Sequence, residues 1–505
     1  MIHFADNIPF ISLFLMMIGG VVTPLLNNEK RARRLHIALI AAVGILSFVL
    51  LYETISGYSF TFIMGHFPAP WGNEVRAGAF EALMASVFSI VMLLSVIGNL
   101  RSLKTDIRPE KAPLYYVMMN LLFCSLLALI YTNDLFTAYV FIEINTISAC
   151  AIVMAKENGE TILATIRYMI MSLLGSGLIL IAIAILYSQT GHLLMVPMKA
   201  SIETIVSSGR DVLPLKMGLA MITVGLAVKS ALYPFSSWLP GAHGSATSAS
   251  SAVLSGLVLK GYIILLLKIF FRVFGLDTVV LFHMDDVLFV FGAFAMVMAS
   301  VKALQQQTIK RVIAYSSISQ IGYIFMGIGM GNIAGYTAAA FHIISHAATK
   351  PMLFTAAGSL MDANGHKPEI SSMRGVGRQN PAAGLGIIVG GMAMIGIPFF
   401  SGFISKITFA MASFGSEKSI VTLGALAVST VLNAMYYIPL MMIVFSAGDV
   451  GTEINEHDHA VKKPFYHAGM PFYGAMAVFI AANVFLGTCY EPIIQIIGDG
   501  LLQFG

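Results

Sequence analysis

The chain has 505 residues, 57% hydrophobic and 11% charged, with a net charge of +4 and a mean hydropathy of +0.84. That composition excludes a soluble globular or disordered chain and defines a polytopic membrane protein, without implying several domains. The basic residues sit in short loops rather than one patch or tail, which argues against a nucleic-acid partner, and Cys124, Cys150 and Cys489 stand singly in apolar segments, without the spacing of a disulfide framework, an iron-sulfur site or another metal or cofactor centre.

At about 20 apolar residues per ~30 Å of hydrocarbon, the sequence predicts 14 membrane helices centred near residues 17, 45, 88, 122, 145, 175, 225, 258, 293, 320, 346, 397, 431 and 480. The start, MIHFADNIPF, lacks the basic n-region and cleavage site of a signal peptide, so the first helix is expected to stay. Alternate loops carry Lys30, Arg31, Arg33 and Arg34; Arg101, Lys104, Arg108 and Lys111; Lys156 and Arg167; Lys302, Lys310 and Arg311; Lys367, Arg374 and Arg378; and Lys462 and Lys463. The opposite loops hold only Arg76, Lys199, Arg210, Lys216, Arg272 and Lys418. The positive-inside bias then places both termini outside the cytoplasm, in the plasma or inner membrane. Residues 192–213 read as a loop with a short amphipathic stretch, and 449–467 as a polar loop.

Against this background a few charges stand inside apolar stretches. Glu143 interrupts the uncharged span FIEINTISAC. The plainer reading is a protonated carboxyl bonded to Asn145 or a neighbouring helix; a partnered, functional carboxylate is the default at this depth. Lys229, in VGLAVKSALYPF, is its natural partner, because a nearby carboxylate offsets the cost of holding an ammonium away from water. Four buried lysines (Lys229, Lys260, Lys350 and Lys406) would together cost about 10 to 14 kcal/mol if dry and unpaired, comparable with the whole stability of a domain. They must pair, reach water or lose a proton, and a side chain able to do all three carries ions.

The prolines add mechanics. Pro234 follows Lys229 and Pro398 precedes Lys406, so each is predicted to open its helix near a charge. The two segments, Tyr233-Pro234-Phe235-Ser236 and Ile397-Pro398-Phe399-Phe400-Ser401, are faintly alike, as in internally repeated transporters. His243 opens the hydroxyl-rich run HGSATSASSAVLSG, which suits either a wet path or close helix packing. Lys260 lies near mid-span, with a snorkelling side chain as the alternative. His342, His346 and Lys350 recur every four residues and share one helix face. Histidine suits a proton relay; packing and metal binding are the alternatives, the second disfavoured by the lysine in third place. Lys406 is the last buried charge before the far surface, or a snorkelling end residue. Arg76 and Glu81 are expected to form an interfacial pair, Glu456-His457-Asp458-His459 a solvated loop, and Gly175-Ser176-Gly177 a packing motif rather than the nucleophile turn of an intramembrane hydrolase.

Together these motifs resemble the antiporter-like subunits shared by respiratory complex I, energy-converting membrane-bound hydrogenases and Mrp-type multisubunit Na+/H+ antiporters, over roughly residues 75–445. The likeness rests on the Glu143 segment, VGLAVKSALYPFSSWLPGAH, LSGLVLKGY, KRVIAYSSISQIGYIFMGIG, AAFHIISHAATKPMLFTAAGSL and GIPFFSGFISK. It implies an all-α fold of 14 helices with two inverted five-helix repeats, broken near Lys229 and Lys406. The corresponding divisions are an N-terminal segment 1–112, repeats 113–275 and 276–447, and a loop with the last helix, 448–505. It further implies Glu143 and Lys229 as a coupling pair, Lys260 and the His346 region as a central relay, and Lys406 as the terminal residue. Partners would be other membrane subunits, related antiporter-like ones among them, and the carried ion a proton, with Na+ in exchange as a variant; no cofactor of its own is implied. A self-contained secondary transporter is the alternative. The chain departs from the family in reading ATSASS where APTPVS is usual, which removes the prolines expected to kink the eighth helix, and Thr308-Ile309 where an aspartate usually precedes Lys310-Arg311. Its end soon after the last helix fits an Mrp-type (D-like), hydrogenase-type or shorter complex I member.

Overall fold

A computed structural model describes residues 4–26, 28–64, 67, 72–446 and 466–504. The chain is a helical membrane protein. Its main helices are α1 (Ile8–Val22), α2 (Glu29–Thr54), α3 (Ala79–Gly98), α4 (Ala112–Tyr131), α5 (Leu135–Val153) and α6 (Gly159–Thr190). There follow α7 (Met195–Ser207), α8 (Leu213–Lys229), α9 (Leu239–Ser245), α10 (Ser248–Phe274), α11 (Met284–Leu304) and α12 (Ile309–Ile328). The last are α13 (Ile333–Ala363), α14 (Pro381–Ile395), α15 (Ser401–Ser413), α16 (Ser419–Phe445), α17 (Met470–Thr488) and α18 (Glu491–Leu502).

Short polar residues start these helices where the chain leaves the lipid. Asn28, Asp134, Asn158, Asn332 and Asn380 each accept a backbone N–H of the first turn, satisfying a donor the helix itself leaves open. Among the described residues, α1 to α6, α10, α11, α16 and α17 are the ten helices long and apolar enough to cross a membrane. The remaining predicted centres fall on helices that are short, polar or broken: α8 with 17 residues, α12, α13, and the α14–α15 pair. The amphipathic stretch expected in 192–213 is α7.

Every residue of α10 is buried, and so is α13 from Ala338 to Leu360. These two helices carry polar groups and are wrapped by the others, so no lysine or histidine on them meets lipid. They touch closely: a side chain at Gly256 of α10 would meet Pro351 Cγ of α13 at 2.5 Å. The outer helices show the converse pattern, with Ile170, Leu173, Leu174 and Ile181 of α6 and Val431, Met435 and Met442 of α16 exposed, as lipid contact requires.

Three features depart from expectation. A two-stranded antiparallel hairpin, β1 (Phe60–Ile63) paired with β2 (Glu74–Ala77), joins α2 to α3, where the resemblance implies helices alone. Its alternation of half-buried and exposed side chains spans only four residues, too short a signal beside the flanking apolar runs. Arg272, read above as a loop residue, is 2% exposed inside α10, and Lys310, also counted as a loop charge, is 2% exposed on α12. On the side where the basic loops gather, Lys111 clamps Glu157 at 2.6 Å; that hydrogen bond holds the Glu157 carboxyl below its ordinary range. Glu456 to His459, with most of the polar loop at 449–467, lie outside the described residues.

Candidate functional site

Both predicted breaks are present. Helix α8 stops at Lys229, residues 230–238 run as turns, and α9 resumes; α14 stops at Ile395 and α15 starts at Ser401. Each break contains a non-glycine residue in the left-handed region, Ala231 (φ 58°) and Phe399 (φ 74°), a costly conformation that the surrounding packing must hold. Although α10 lacks the family's prolines, it is still irregular: Leu254–Val258 and Phe270–Phe274 are wound as π-helix, and the first of these ends just before Leu259 and Lys260.

The Lys229 ammonium donates to Thr146 Oγ1 (2.8 Å) on α5 and Ser172 Oγ (2.9 Å) on α6. It makes no ion pair with Glu143 among the described residues, although Glu143 is the carboxylate whose charge acts on it. Thr146, one turn from Glu143, occupies the position the predicted partner would take. Glu143 is half-buried at the middle of α5, and its Oε1 is buried without a protein partner. Asn145 does not bond it either: its amide donates to Ser125 Oγ (2.8 Å) and its oxygen accepts from Tyr262 (2.9 Å). The helices α6 and α8 approach at glycine, since a side chain at Gly175 would meet Gly225 O at 2.9 Å and Lys229 Cγ at 3.2 Å. Gly175 is therefore a packing residue that also sets the course of the Lys229 stem.

From Lys229 the polar groups continue inward. Its ammonium lies 5.6 Å from the ring of Tyr262, which follows Lys260 on α10. Lys260 turns back on its own helix to donate to Ser255 O and reaches no surface, which removes the snorkelling alternative. His243 is fully buried and stacked on Phe354 (4.6 Å), with neither ring nitrogen bonded among the described residues. His346 likewise has two buried nitrogens without a protein partner and lies within electrostatic reach of Lys260, Lys350, His342 and His243. Lys350 donates to Ser316 Oγ (2.7 Å), Ile313 O (3.2 Å) and Tyr437 Oη (3.2 Å).

His342 Nδ1 shares a 2.6 Å hydrogen bond with Ser405 Oγ, the residue before Lys406. Lys406 donates to Ile395 O (2.5 Å) at the end of α14 and to Thr430 Oγ1 (2.7 Å) on α16, so it also points inward. Gly396, at φ +89°, makes room for it: a side chain there would meet Lys406 Cδ at 2.8 Å. Of the eight predicted residues, Lys229 ends α8 at the first break, Lys406 lies on α15 beyond the second, Glu143 is on α5, and His243, Lys260, His342, His346 and Lys350 are buried on α9, α10 and α13.

Several buried polar side chains beside the site escaped the sequence reading. Lys268, two turns beyond Lys260, donates to Ile130 O (2.8 Å) and Thr132 O, capping the end of α4. The expected Arg76–Glu81 pair is replaced. Glu81 joins Arg272 at 2.5 Å, both at most 2% exposed, while Arg76 donates to Gln503 O (2.5 Å) after α18. Only contact between distant helices creates these pairs; the sequence signal available was the helical spacing of Lys260, Lys268 and Arg272 within one apolar run. A hydroxyl and amide set, Ser345, Thr349, Ser401 and Asn483, bridges α13, α15 and α17 beside the second break.

Fold and site together define a class: a multi-pass helical membrane protein with lysines and histidines buried on its inner helices and two interrupted helices beside them. The chain belongs to the family described as NADH:quinone oxidoreductase/Mrp antiporter, TM, which matches residues 132–433. It is 28% identical over 443 residues to NADH-quinone oxidoreductase subunit N of Desulforudis audaxviator, covering 86% of this chain and 85% of that protein. It is 24% identical over 493 residues to a Na(+)/H(+) antiporter subunit, of the D type, from Alkalihalophilus pseudofirmus, covering 97% and 95%. Its fold matches a chain of the Mrp complex from Dietzia sp. DQ12-45-1b with a TM-score of 0.87 at 19% identity, covering 100% of this chain and 98% of that one. A chain of the membrane-bound sulfane sulfur reductase, an archaeal respiratory membrane complex, matches with a TM-score of 0.86 at 24% identity, covering 99% and 96%.

Proposed function

We propose that this chain is the ion-translocating subunit of a multisubunit complex in the plasma membrane, moving protons along the band from Lys229 through His243, Lys260, His346, His342 and Lys350 to Lys406. Movement of Na+ in the opposite direction is the antiporter form of the same reading. The chain crosses the membrane 14 times with both termini outside the cytoplasm. Two inverted five-helix repeats, 113–275 and 276–447, follow the segment 1–112 and precede 448–505, each repeat contributing one broken helix.

One observation carries the reading: the ring nitrogens of His243 and His346 and the Nε2 of His342 are buried without partners among the described residues, amid Lys260 and Lys350. Buried polar atoms of this kind are satisfied by water, and water between lysine and histidine forms a proton path. The hydroxyls bound by Lys229 and Lys350 accept a hydrogen bond from either the ammonium or the neutral amine, so each lysine keeps a partner on both sides of a proton transfer. Glu143, half-buried and facing outward at mid-span, is supported as the group through which a neighbouring membrane subunit biases Lys229. Moving Glu143 and Lys229 together or apart changes the stability of the ammonium, at about 1.36 kcal/mol for each tenfold change in proton affinity. About 2.3 kcal/mol moves one charge through 100 mV, so a modest change of separation suffices.

The test is proton flux by the assembled complex in proteoliposomes. Lys229→Ala is expected to abolish coupled flux while leaving the subunit composition intact. Flux at the wild-type rate in that variant overturns the proposal. Dependence of the flux on external Na+ separates exchange from proton movement alone.

A further inference from the structure

Lys310 was expected in a loop, yet it is 2% exposed and lines a cavity of about 520 Å³ on the side where the basic loops gather. The cavity lies between the start of α6, the α9 segment, the start of α12 and residues 368–369. Glu160, Arg167, Arg311 and Glu369 line its mouth, with Glu160, Arg167 and Arg311 exposed. At about 30 Å³ per water, it has room for a solvent cluster that reaches the lysine from outside. The Lys310 ammonium donates to Ala246 O (2.9 Å), one turn beyond His243. His243 lies within electrostatic reach of Lys310, Lys260 and Lys350 and has two unpartnered ring nitrogens. A lysine lining the cavity, a buried histidine with unpartnered ring nitrogens and two buried lysines are therefore within reach of one another.

We propose that Lys310 is the proton-intake residue of the central band, and this rests on the translocating role argued above. A proton taken from solution as hydronium and relayed along the cavity water, which stays neutral, protonates the neutral Lys310 amine; the ammonium passes it to a ring nitrogen of His243 and returns to the amine. The His243 imidazolium then passes it to the Lys260 or Lys350 amine and becomes neutral again. The Asp106–Lys156 pair (3.0 Å) and Asp362 are the other charged groups acting on Lys310, with Arg311 next to it in sequence.

Arginine distinguishes proton transfer from a structural bond. Lys310→Arg keeps the cation and the donor to Ala246 O but does not release its proton. In the assembled, reconstituted complex, Lys310→Arg and Lys310→Met are both expected to lower coupled flux about tenfold or more, whereas Lys310→His retains a larger share, with the alkaline limb of its pH profile moved to lower pH. Wild-type flux in Lys310→Arg overturns the proposal. A second test leaves the lysine in place. At Gly241, in the cavity wall, an added Cβ meets only Ala164 at 3.8 Å, so Gly241→Phe is expected to fit the backbone, fill the cavity and slow flux several-fold, while Gly241→Ala does not. Full flux in Gly241→Phe also overturns the intake role. Lys229→Ala run in parallel separates the two readings: if it too keeps full flux, the translocating role itself has failed.

Discussion

At the scale of single residues, the buried charges divide into two kinds. Lys229, Lys350 and Lys406 rest on hydroxyls and carbonyls, partners that tolerate both protonation states. Arg272 instead meets Glu81 at 2.5 Å and donates to Phe504 O at 3.1 Å, so its guanidinium is compensated in one state only. This pair is structural. Removing one member strands the other in an interior from which water is excluded, and Glu81→Ala or Arg272→Ala is expected to destabilise the chain by about 3 to 5 kcal/mol. The double variant Glu81→Leu with Arg272→Met is expected to recover much of that loss. Thermal unfolding of the purified protein in detergent checks both; a double variant as unstable as either single one refutes the assignment.

At the scale of elements, the two breaks determine where lysine can sit. A helix end at mid-membrane leaves carbonyls without intrahelical partners, and at the second break one of them, Ile395 O, accepts from Lys406. Gly396 allows this twice over, by its positive φ and by its missing side chain. Gly396→Ala is expected to displace the Lys406 stem, lower stability by about 1 to 2 kcal/mol and reduce flux, whereas Gly424→Ala, which meets nothing within 4 Å, changes neither. Equal melting temperatures for the two variants would refute this role of the glycine. The π-wound segment before Lys260 makes α10 irregular without a proline.

At the scale of the molecule, the outward face of α5 is the informative surface. Glu143 shares it with Ile147, which is 65% exposed and one turn away. A half-buried carboxyl at mid-span is costly against lipid, so another subunit is expected to cover this face. A cysteine at Ile147 should cross-link to a neighbouring subunit in intact membranes, in a background with exposed Cys489 replaced by serine. Labelling of that cysteine by lipid-soluble reagents alone, without a cross-link, would leave Glu143 facing lipid and remove the basis for coupling through it.

The membrane class, the approximate positions of the helices, both breaks and the burial of lysines and histidines inside apolar runs were legible in the sequence, because each depends on local chemistry: apolar run length, proline, and a charge where charge is expensive. The π-helical winding, the β1–β2 hairpin, the Glu81–Arg272 pair, the α4 cap made by Lys268 and the burial of Lys310 were not legible. Each depends on which distant helix lies alongside. A lysine at the end of an apolar run reads as an interfacial residue until packing places another helix over it; only the tertiary structure decided that Lys310 looks into a cavity and that Lys229 rests on Thr146 and Ser172 rather than on Glu143.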